Sequence, residues 1–360
     1  MSIHFHQLIV KEINKETIDC VSVLFDIPTE LKQAFEFTQG QSLTIRAIIH
    51  GQELRRSYSI CSSPTEDKLK VAIKKVEGGL FSTFANEQLQ KGDVLDVMTP
   101  VGKFNTPLLL SNKKNYIAFA AGSGITPLLS IIKTTLATEP NSSFTLVYGN
   151  KSRASIIFFE ELEGLKNKFI NRFNIIHILS REKTDAAINF GRITKDKCAD
   201  LTQKLIDIKT ADEFFICGPE EMIFAVKHFL EDKGVDEKKI HFELFTTPGG
   251  KKAVSHKLQA ANNQVPQSKI TIKLDGRSFD FTIPFNSDTS ILDAAMQQGA
   301  DVPYACKGGV CCTCKAKLIE GEVTMDVHWG LEHEEIEQGY ILTCQSHPVT
   351  EKVVVDFDVK

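Results

Sequence analysis

No stretch of this 360-residue chain approaches the run of roughly 18 apolar residues that a membrane-spanning helix needs. The opening MSIHFHQLIVKE also lacks the basic and then apolar layout of a secretory signal, so the expected compartment is the cytoplasm. No internal repeat and no low-complexity tract interrupts the chain. None of the ten histidines stands at metal spacing: His328 and His333 miss the i, i+4 pairing of a helix face and read as surface or core residues. A strong net charge is missing too, because 42 Lys and Arg against 46 Asp and Glu leave −4. That balance hides an asymmetry. Residues 269–360 hold 8 basic and 15 acidic side chains, a net −7, against +3 for the rest. Nucleic acid is thereby excluded as a general partner, and the acidic end suits a basic docking partner.

What the chain has in quantity is cysteine. Nine of them without a signal peptide read as cytosolic thiols or metal ligands rather than a disulfide framework. Hydrophobic residues at 42% and charged residues at 24% are the proportions of a globular protein, and 360 residues exceed what one core usually organises. Three domains are expected. Residues 1–108 alternate short β-rich runs (QSLTIRAII, LRRSYSI, LKVAIKKV, VLDVM) with turns such as His50-Gly51 and Lys91-Gly92-Asp93, the pattern of an antiparallel β-barrel. Over 109–245, apolar runs (YIAFAA, FTLVYG, FNIIHILS, EFFICG, IHFELF) alternate with amphipathic stretches, as in an α/β parallel sheet. Residues 246–268, rich in Gly, Pro, Ser, Asn and Gln, read as an interdomain linker. In 269–360, SKITIKL and RSFDFTI flank Asp275-Gly276 as a hairpin, and a helix ILDAAMQQG closes on Gly299.

Within CKGGVCCTC the spacing is C-x4-C-x2-C through Cys306, Cys311 and Cys314, with Cys344 following in GYILTCQ. Four soft thiolates at this spacing suit a two-iron, two-sulfur cluster. Gly308 and Gly309 allow backbone amides to turn toward the cluster sulfur. VPYACKGGVCCTC together with GYILTCQ resembles the plant-type ferredoxins over about residue 268 to the C-terminus, which implies a β-grasp fold. Cys312 lies between two ligands at a position that family gives to a small residue, and reads as a packed thiol.

A flavin needs a cation for its pyrophosphate, a flat ring against the isoalloxazine, and a hydroxyl near the nitrogen that accepts hydride. In RSYS at 56–59, Arg56, Tyr58 and Ser59 supply these in order, with Ser57 between them. Gly78 and Gly79, then Leu80, Phe81 and Ser82, offer bare amides and a hydroxyl at a helix start, a phosphate seat. The two motifs together resemble the ferredoxin reductase superfamily, in which these positions bind FAD. Phe245 in IHFELF matches that family's terminal aromatic segment near the flavin, though core packing reads equally well.

Between the strand YIAFAA and a helix stands a glycine turn, Gly122 to Gly124, where a pyrophosphate can approach the backbone. It lacks the third glycine of the dinucleotide fingerprint and has Pro127 instead. The superfamily uses this form, with Thr126 near the nicotinamide end. Cys217-Gly218-Pro219 after EFFI matches its CGP turn, which implies that Cys217 lies beside the hydride-donating carbon. Ser180-Arg181 after FNIIHIL resembles the 2′-phosphate pair of NADPH-dependent members, so NADPH is expected over NADH. Lys151 and Arg153 could add to that field.

The order of flavin barrel, nucleotide domain and ferredoxin resembles the reductase components of bacterial multicomponent oxygenases over the whole chain, nearest to the phenylacetyl-CoA epoxidase group and then to ketosteroid hydroxylase. This implies hydride transfer from NADPH near Ser59 and Cys217, then single-electron delivery through the cluster to an oxygenase. A di-iron oxygenase of aromatic-acid degradation is the expected acceptor. The alternatives are a reductase serving a Rieske, fatty-acid or P450-type oxygenase, or a non-catalytic redox sensor.

Overall fold

The computed structural model describes residues 4–245, 266–285 and 288–359. They divide into two compact units: Phe5–Leu54 with Tyr58–Leu244, and the C-terminal part from Phe245 together with Arg55–Ser57. The first unit opens with six strands, β1 (Phe5–Thr17), β2 (Cys20–Asp26), β3 (Ser42–Ile49), β4 (Gln52–Ser59), β5 (Leu69–Lys74) and β6 (Val94–Met98), in the order β4-β3-β6-β1-β2-β5. The β1–β2, β1–β6, β2–β5 and β3–β6 ladders are antiparallel. Just past β4, Ile60 bridges Val71 of β5, so the two edge strands meet and the sheet closes as a barrel. Inward-facing Leu8, Val10, Val23, Phe25, Leu43, Ile45 and Ile73 fill it. Helix α1 (Leu80–Glu87) follows β5 and packs Phe81 and Ala85 onto this core.

Five parallel strands come next: β7 (Asn115–Ala121), β8 (Ser143–Asn150), β9 (Phe173–Leu179), β10 (Glu213–Cys217) and β11 (Ile240–Glu243), in the order β11-β10-β7-β8-β9. Between them run α2 (Ile125–Thr138), α3 (Phe159–Lys168), α4 (Lys195–Lys204) and α5 (Glu220–Asp232). The chain leaves β7 toward β8 and β9, then returns to β10 on its other side. The order therefore reverses between β7 and β10, the place where an open α/β sheet binds ligands. Helix α2 is buried on every side from Ile125 to Leu136, polar residues included, which places it between layers rather than at the surface.

The C-terminal unit holds β12 (Gln267–Leu274), β13 (Arg277–Pro284), α6 (Ile291–Gln297), β14 (Lys315–Glu320), β15 (Val323–Met325), α7 (His333–Glu337), β16 (Tyr340–Leu342), β17 (Ser346–Pro348) and β18 (Lys352–Asp356). Its main sheet runs β13-β12-β18-β14-β16, with β12 and β18 parallel, and β15 pairs with β17 apart. Asp275 and Gly276 both have positive φ, +53° and +71°, as a two-residue hairpin with a primed turn requires. Ser290 caps α6 by accepting from Asp293 N at 3.1 Å. Of the expected linker 246–268, residues 246–265 lie outside the described residues, while Gln267 and Ser268 already belong to β12. No described helix is long and apolar enough to cross a membrane.

Candidate functional site

Strand β4 presents its motif by alternation. Arg56 is exposed and Tyr58 half-buried, while Ser59 turns inward. The Tyr58 ring rests 5.6 Å from Phe81 at a 40° tilt. Ser59 Oγ donates to Glu243 Oε2 at 3.0 Å. Glu243 ends β11 and lies in register with Cys217 on β10. Burial pushes its carboxyl up to about 7, against the opposing hydrogen bond from Ser59. The motifs do not reveal Glu243. IHFELF draws attention to Phe245, which is 40% exposed, and the only hint of the carboxylate is an acid inside an apolar strand.

The segment GGLFS divides by helical phase. Gly78 has φ +71° and Gly79 precedes α1, whose first turn has no side-chain cap. Leu80 faces outward, and a cleft of about 150 Å³ opens here between α1 and the turn at His50. Phe81, however, is core, packed under Tyr58, and the Ser82 hydroxyl is spent inside the turn, accepting from Val76 N at 3.0 Å and donating to Gly79 O at 3.2 Å. The surfaces open to a phosphate are therefore Gly78, Gly79 and the uncapped amides of α1.

The two nucleotide turns interlock. A Cβ on Gly124 would lie 2.0 Å from Cys217 O and 2.7 Å from Gly218 N, so only glycine lets the GSG turn rest on the CGP turn. Gly122 takes φ +54° and its carbonyl accepts from the buried Tyr148 hydroxyl at 2.9 Å. Thr126 Oγ1 donates to Ser123 O at 3.0 Å and, with Pro127, is buried in the first turn of α2. Lys74, from β5 of the barrel, brings its ammonium to 3.8 Å from where a Gly122 Cβ would stand, a cation at this turn that no motif flagged. Cys217 is fully buried, and burial, aided by the charge of Glu243, pushes its thiol well above the ordinary range. It is a neutral, polarizable contact there and not a nucleophile. Pro219 leads into α5.

At the ends of β8 and β9, Ser180 N donates to Asn150 O at 2.9 Å and Arg181 N to Lys151 O at 2.8 Å, which sets Ser180, Arg181 and Lys151 side by side. Arg153 N donates to Glu182 Oε2 at 2.8 Å, and its guanidinium lies 4.7 Å from the Phe159 ring.

In the C-terminal unit the four expected ligands converge as two pairs. Cys306 and Cys311 are hydrogen-bond neighbours, and so are Cys314 and Cys344. Two irons bridged by two sulfides ask for two thiolates each, and the donor set meets that demand. Among the described residues no three His, Cys, Asp or Glu side chains gather as a single ion would need. Gly308 N donates to Cys306 Sγ at 3.2 Å and Cys306 N to Cys311 Sγ at 3.4 Å, so backbone amides do face the sulfurs. Cys312 takes φ +54°, and its thiol points to Gly330 O.

Models of known families match all three parts: an oxidoreductase FAD-binding domain over residues 7–106, an oxidoreductase NAD-binding domain over 119–228, and a 2Fe-2S iron-sulfur cluster binding domain over 272–349. The chain is 45% identical over 357 residues to one subunit of the 1,2-phenylacetyl-CoA epoxidase of Escherichia coli (strain K12), covering 99% of this chain and 98% of that one. The chain belongs to the reductase components of multicomponent oxygenases. A second relative, the ferredoxin reductase component of 3-ketosteroid-9-alpha-monooxygenase from Rhodococcus rhodochrous, is 32% identical over 97% of this reductase and 96% of its own length. The solved phthalate dioxygenase reductase shares the fold at a TM-score of 0.58 and 23% identity, with 98% of each chain covered. This reductase thus carries FAD-binding, NAD-binding and 2Fe-2S domains, and its family delivers electrons to an oxygenase component.

The Ser59–Glu243 pair gives a pH prediction. A carboxyl raised from 4.5 to about 7 binds its proton more tightly in the folded chain than in the unfolded one. Its contribution therefore favours the fold at low pH and is lost as pH rises through that window. Melting curves at pH 5 and pH 8 should show a larger fall for the wild type than for Glu243→Gln, and the rate of NADPH-driven flavin bleaching should lose an inflection near pH 7 in that variant. Identical profiles for both proteins would show that the carboxyl does not titrate there.

Proposed function

We propose that this reductase takes hydride from NADPH and supplies single electrons to a di-iron oxygenase that epoxidises an aromatic acyl-CoA, in the cytoplasm. The full-length 45% identity to a component of an acyl-CoA epoxidase carries the substrate class. Ser180 and Arg181 beside Lys151 support NADPH, because a 2′-phosphate needs cations and a hydroxyl where a carboxylate would repel it.

In this reading Arg56 neutralises the flavin pyrophosphate, helped by the amides at Gly78 and Gly79, and Tyr58 offers a ring face to the isoalloxazine. FAD, when bound, supplies the conversion between a two-electron hydride and single electrons. The buried Ser59 hydroxyl, held by Glu243, lies close to the register of Cys217, so the nicotinamide seat and the flavin seat share one wall. The GSG turn and the start of α2 receive the nucleotide pyrophosphate, with Thr126 near its nicotinamide end and Lys74 adding charge. Phe245, the residue after Leu244 past β11, is the aromatic that this reading assigns to the flavin. Cys306 with Cys311 and Cys314 with Cys344 would each hold one iron.

Arg181→Glu should lower kcat/KM for NADPH by about thirtyfold, roughly 2 kcal/mol, and leave NADH nearly unchanged, because a charge-assisted hydrogen bond becomes a repulsion. Equal losses for both nucleotides would move the 2′-phosphate site elsewhere. The acceptor is tested by reconstitution with di-iron, Rieske and P450-type oxygenases at rising ionic strength. The di-iron epoxidase should turn over fastest, and more slowly as salt screens the −7 charge of residues 269–360.

A further inference from the structure

A chain of charges crosses the junction between the flavin barrel and the nucleotide-binding sheet, with Lys133 buried and its three partners partly open to solvent. Lys133, on α2, is 7% exposed, and its ammonium lies 2.6 Å from Glu161 Oε1 on α3 and 2.6 Å from Glu66 Oε2. Glu66 belongs to the short barrel segment Pro64–Glu66, where it also accepts from Ser63 N at 2.9 Å. The second oxygen of Glu161 accepts from Lys70 Nζ, on β5, at 3.1 Å. The four side chains alternate in sign, start and finish on the barrel, and pass through two helices of the nucleotide domain. Beside them, Ser130 Oγ donates to Ser62 O at 2.6 Å, and the Ser63 and Thr134 hydroxyls meet at 2.9 Å. Burial works against a charge on Glu161, but Lys133 and Lys70 outweigh it and hold the carboxyl below its usual range.

The first turn of α2 is the nucleotide seat, and Lys133 stands eight residues after Ile125, about 12 Å along the same rigid helix. Anchoring one end of such a rod sets the position of the other.

We infer that Lys133 and Glu161 are positioning residues for hydride transfer, fixing where the glycine turn at the head of α2 stands relative to Tyr58 and Ser59 on the barrel. The inference rests on the flavin and nucleotide reading of those sites. Removing Lys133 leaves Glu66 and Glu161 facing each other with only Lys70, on the far oxygen of Glu161, to offset them, and the remaining repulsion acts on the junction. Neither residue belongs to the GSG turn, the CGP turn or Ser180-Arg181, so nucleotide affinity has no reason to change. Transfer does, because a displacement of about 1 Å between reacting groups can cost a hundredfold in rate.

The test uses the full-length holoenzyme with Lys133→Met, Glu161→Gln and Lys133→Arg. Stopped-flow flavin bleaching is followed with NADPH and with NADPH deuterated at the transferred position, alongside the nucleotide dissociation constant and the melting temperature. The Met and Gln variants should lower the limiting bleaching rate about tenfold or more and alter the isotope effect, with affinity held within about twofold. Lys133→Arg should recover most of the rate, and the double variant should be no slower than the slower single one. A folded, flavin-replete Met variant bleaching at the wild-type rate would overturn the inference, as would a loss confined to affinity or melting temperature. Should Lys133→Met fail to fold, Glu66→Gln weakens one of the two barrel-side anchors and carries the same expectation. A wild type that NADPH cannot bleach would instead refute the underlying flavin and nucleotide reading.

Discussion

Replacing Cys306, Cys311, Cys314 or Cys344 by Ala should each abolish the two-iron cluster, while Cys312→Ala keeps it. The four sit as two thiol pairs, so losing one leaves an iron with a single protein ligand. Cys312 faces Gly330 O instead. Visible absorbance and iron content provide the measurement, and a stoichiometric cluster surviving any of the four changes would sink the ligand set. Oxygenase support should fall to background with the cluster, yet NADPH-driven ferricyanide reduction should persist, because a small dye can take electrons at the flavin. Loss of both activities together would mean that flavin and cluster do not act in series.

The second large effect is expected from a single methyl group. Gly124→Ala drives a Cβ to 2.0 Å from Cys217 O and 2.4 Å from its carbonyl carbon. Both are backbone atoms, so no flexible side chain can swing aside, and the GSG and CGP turns must separate. Overpacking of this kind costs about 1–3 kcal/mol in stability. The larger loss is geometric, about a hundredfold in the rate of flavin bleaching for a shift of the order of 1 Å. Flavin content and the cluster spectrum should be unaffected, since neither the pyrophosphate-side flavin residues nor the cluster cysteines take part in this contact. Stopped-flow reduction within about threefold of wild type would show that the two turns move apart freely.

These two variants mark what the sequence could and could not disclose. The cysteine spacing is a local statement: a short loop carries three ligands, and the chemistry of soft thiolates limits what such a loop can hold. RSYS and the glycine turns are legible for the same reason, because strand alternation and a strand-to-helix turn are set within a few residues. Phase within a motif is harder. GGLFS reads as one binding segment, but α1 begins at Leu80, and its winding turns Phe81 into the core and locks the Ser82 hydroxyl to Val76 and Gly79. The contact of Arg153 with the Phe159 ring is not written in any motif either. The contact of Ser59 with Glu243 joins residues 184 positions apart and exists only because β11 comes to lie beside β10. The Lys133–Glu161–Lys70 chain is likewise a product of packing. Its members sit on three separate elements, and no spacing rule connects them.

The hydrogen-bond ladders also bear on how such a chain could arise. The strands β1 to β6 and β7 to β11 each complete one sheet, those from β12 to β18 complete a third sheet and the small β15–β17 pair, and no described strand of one sheet pairs with another sheet. A gene cut between the codons for β11 and β12 therefore severs no ladder. The cluster-bearing segment is in this sense a cassette: its described strands close their own ladders, so moving it along the gene breaks no backbone pairing in the flavin or nucleotide sheets.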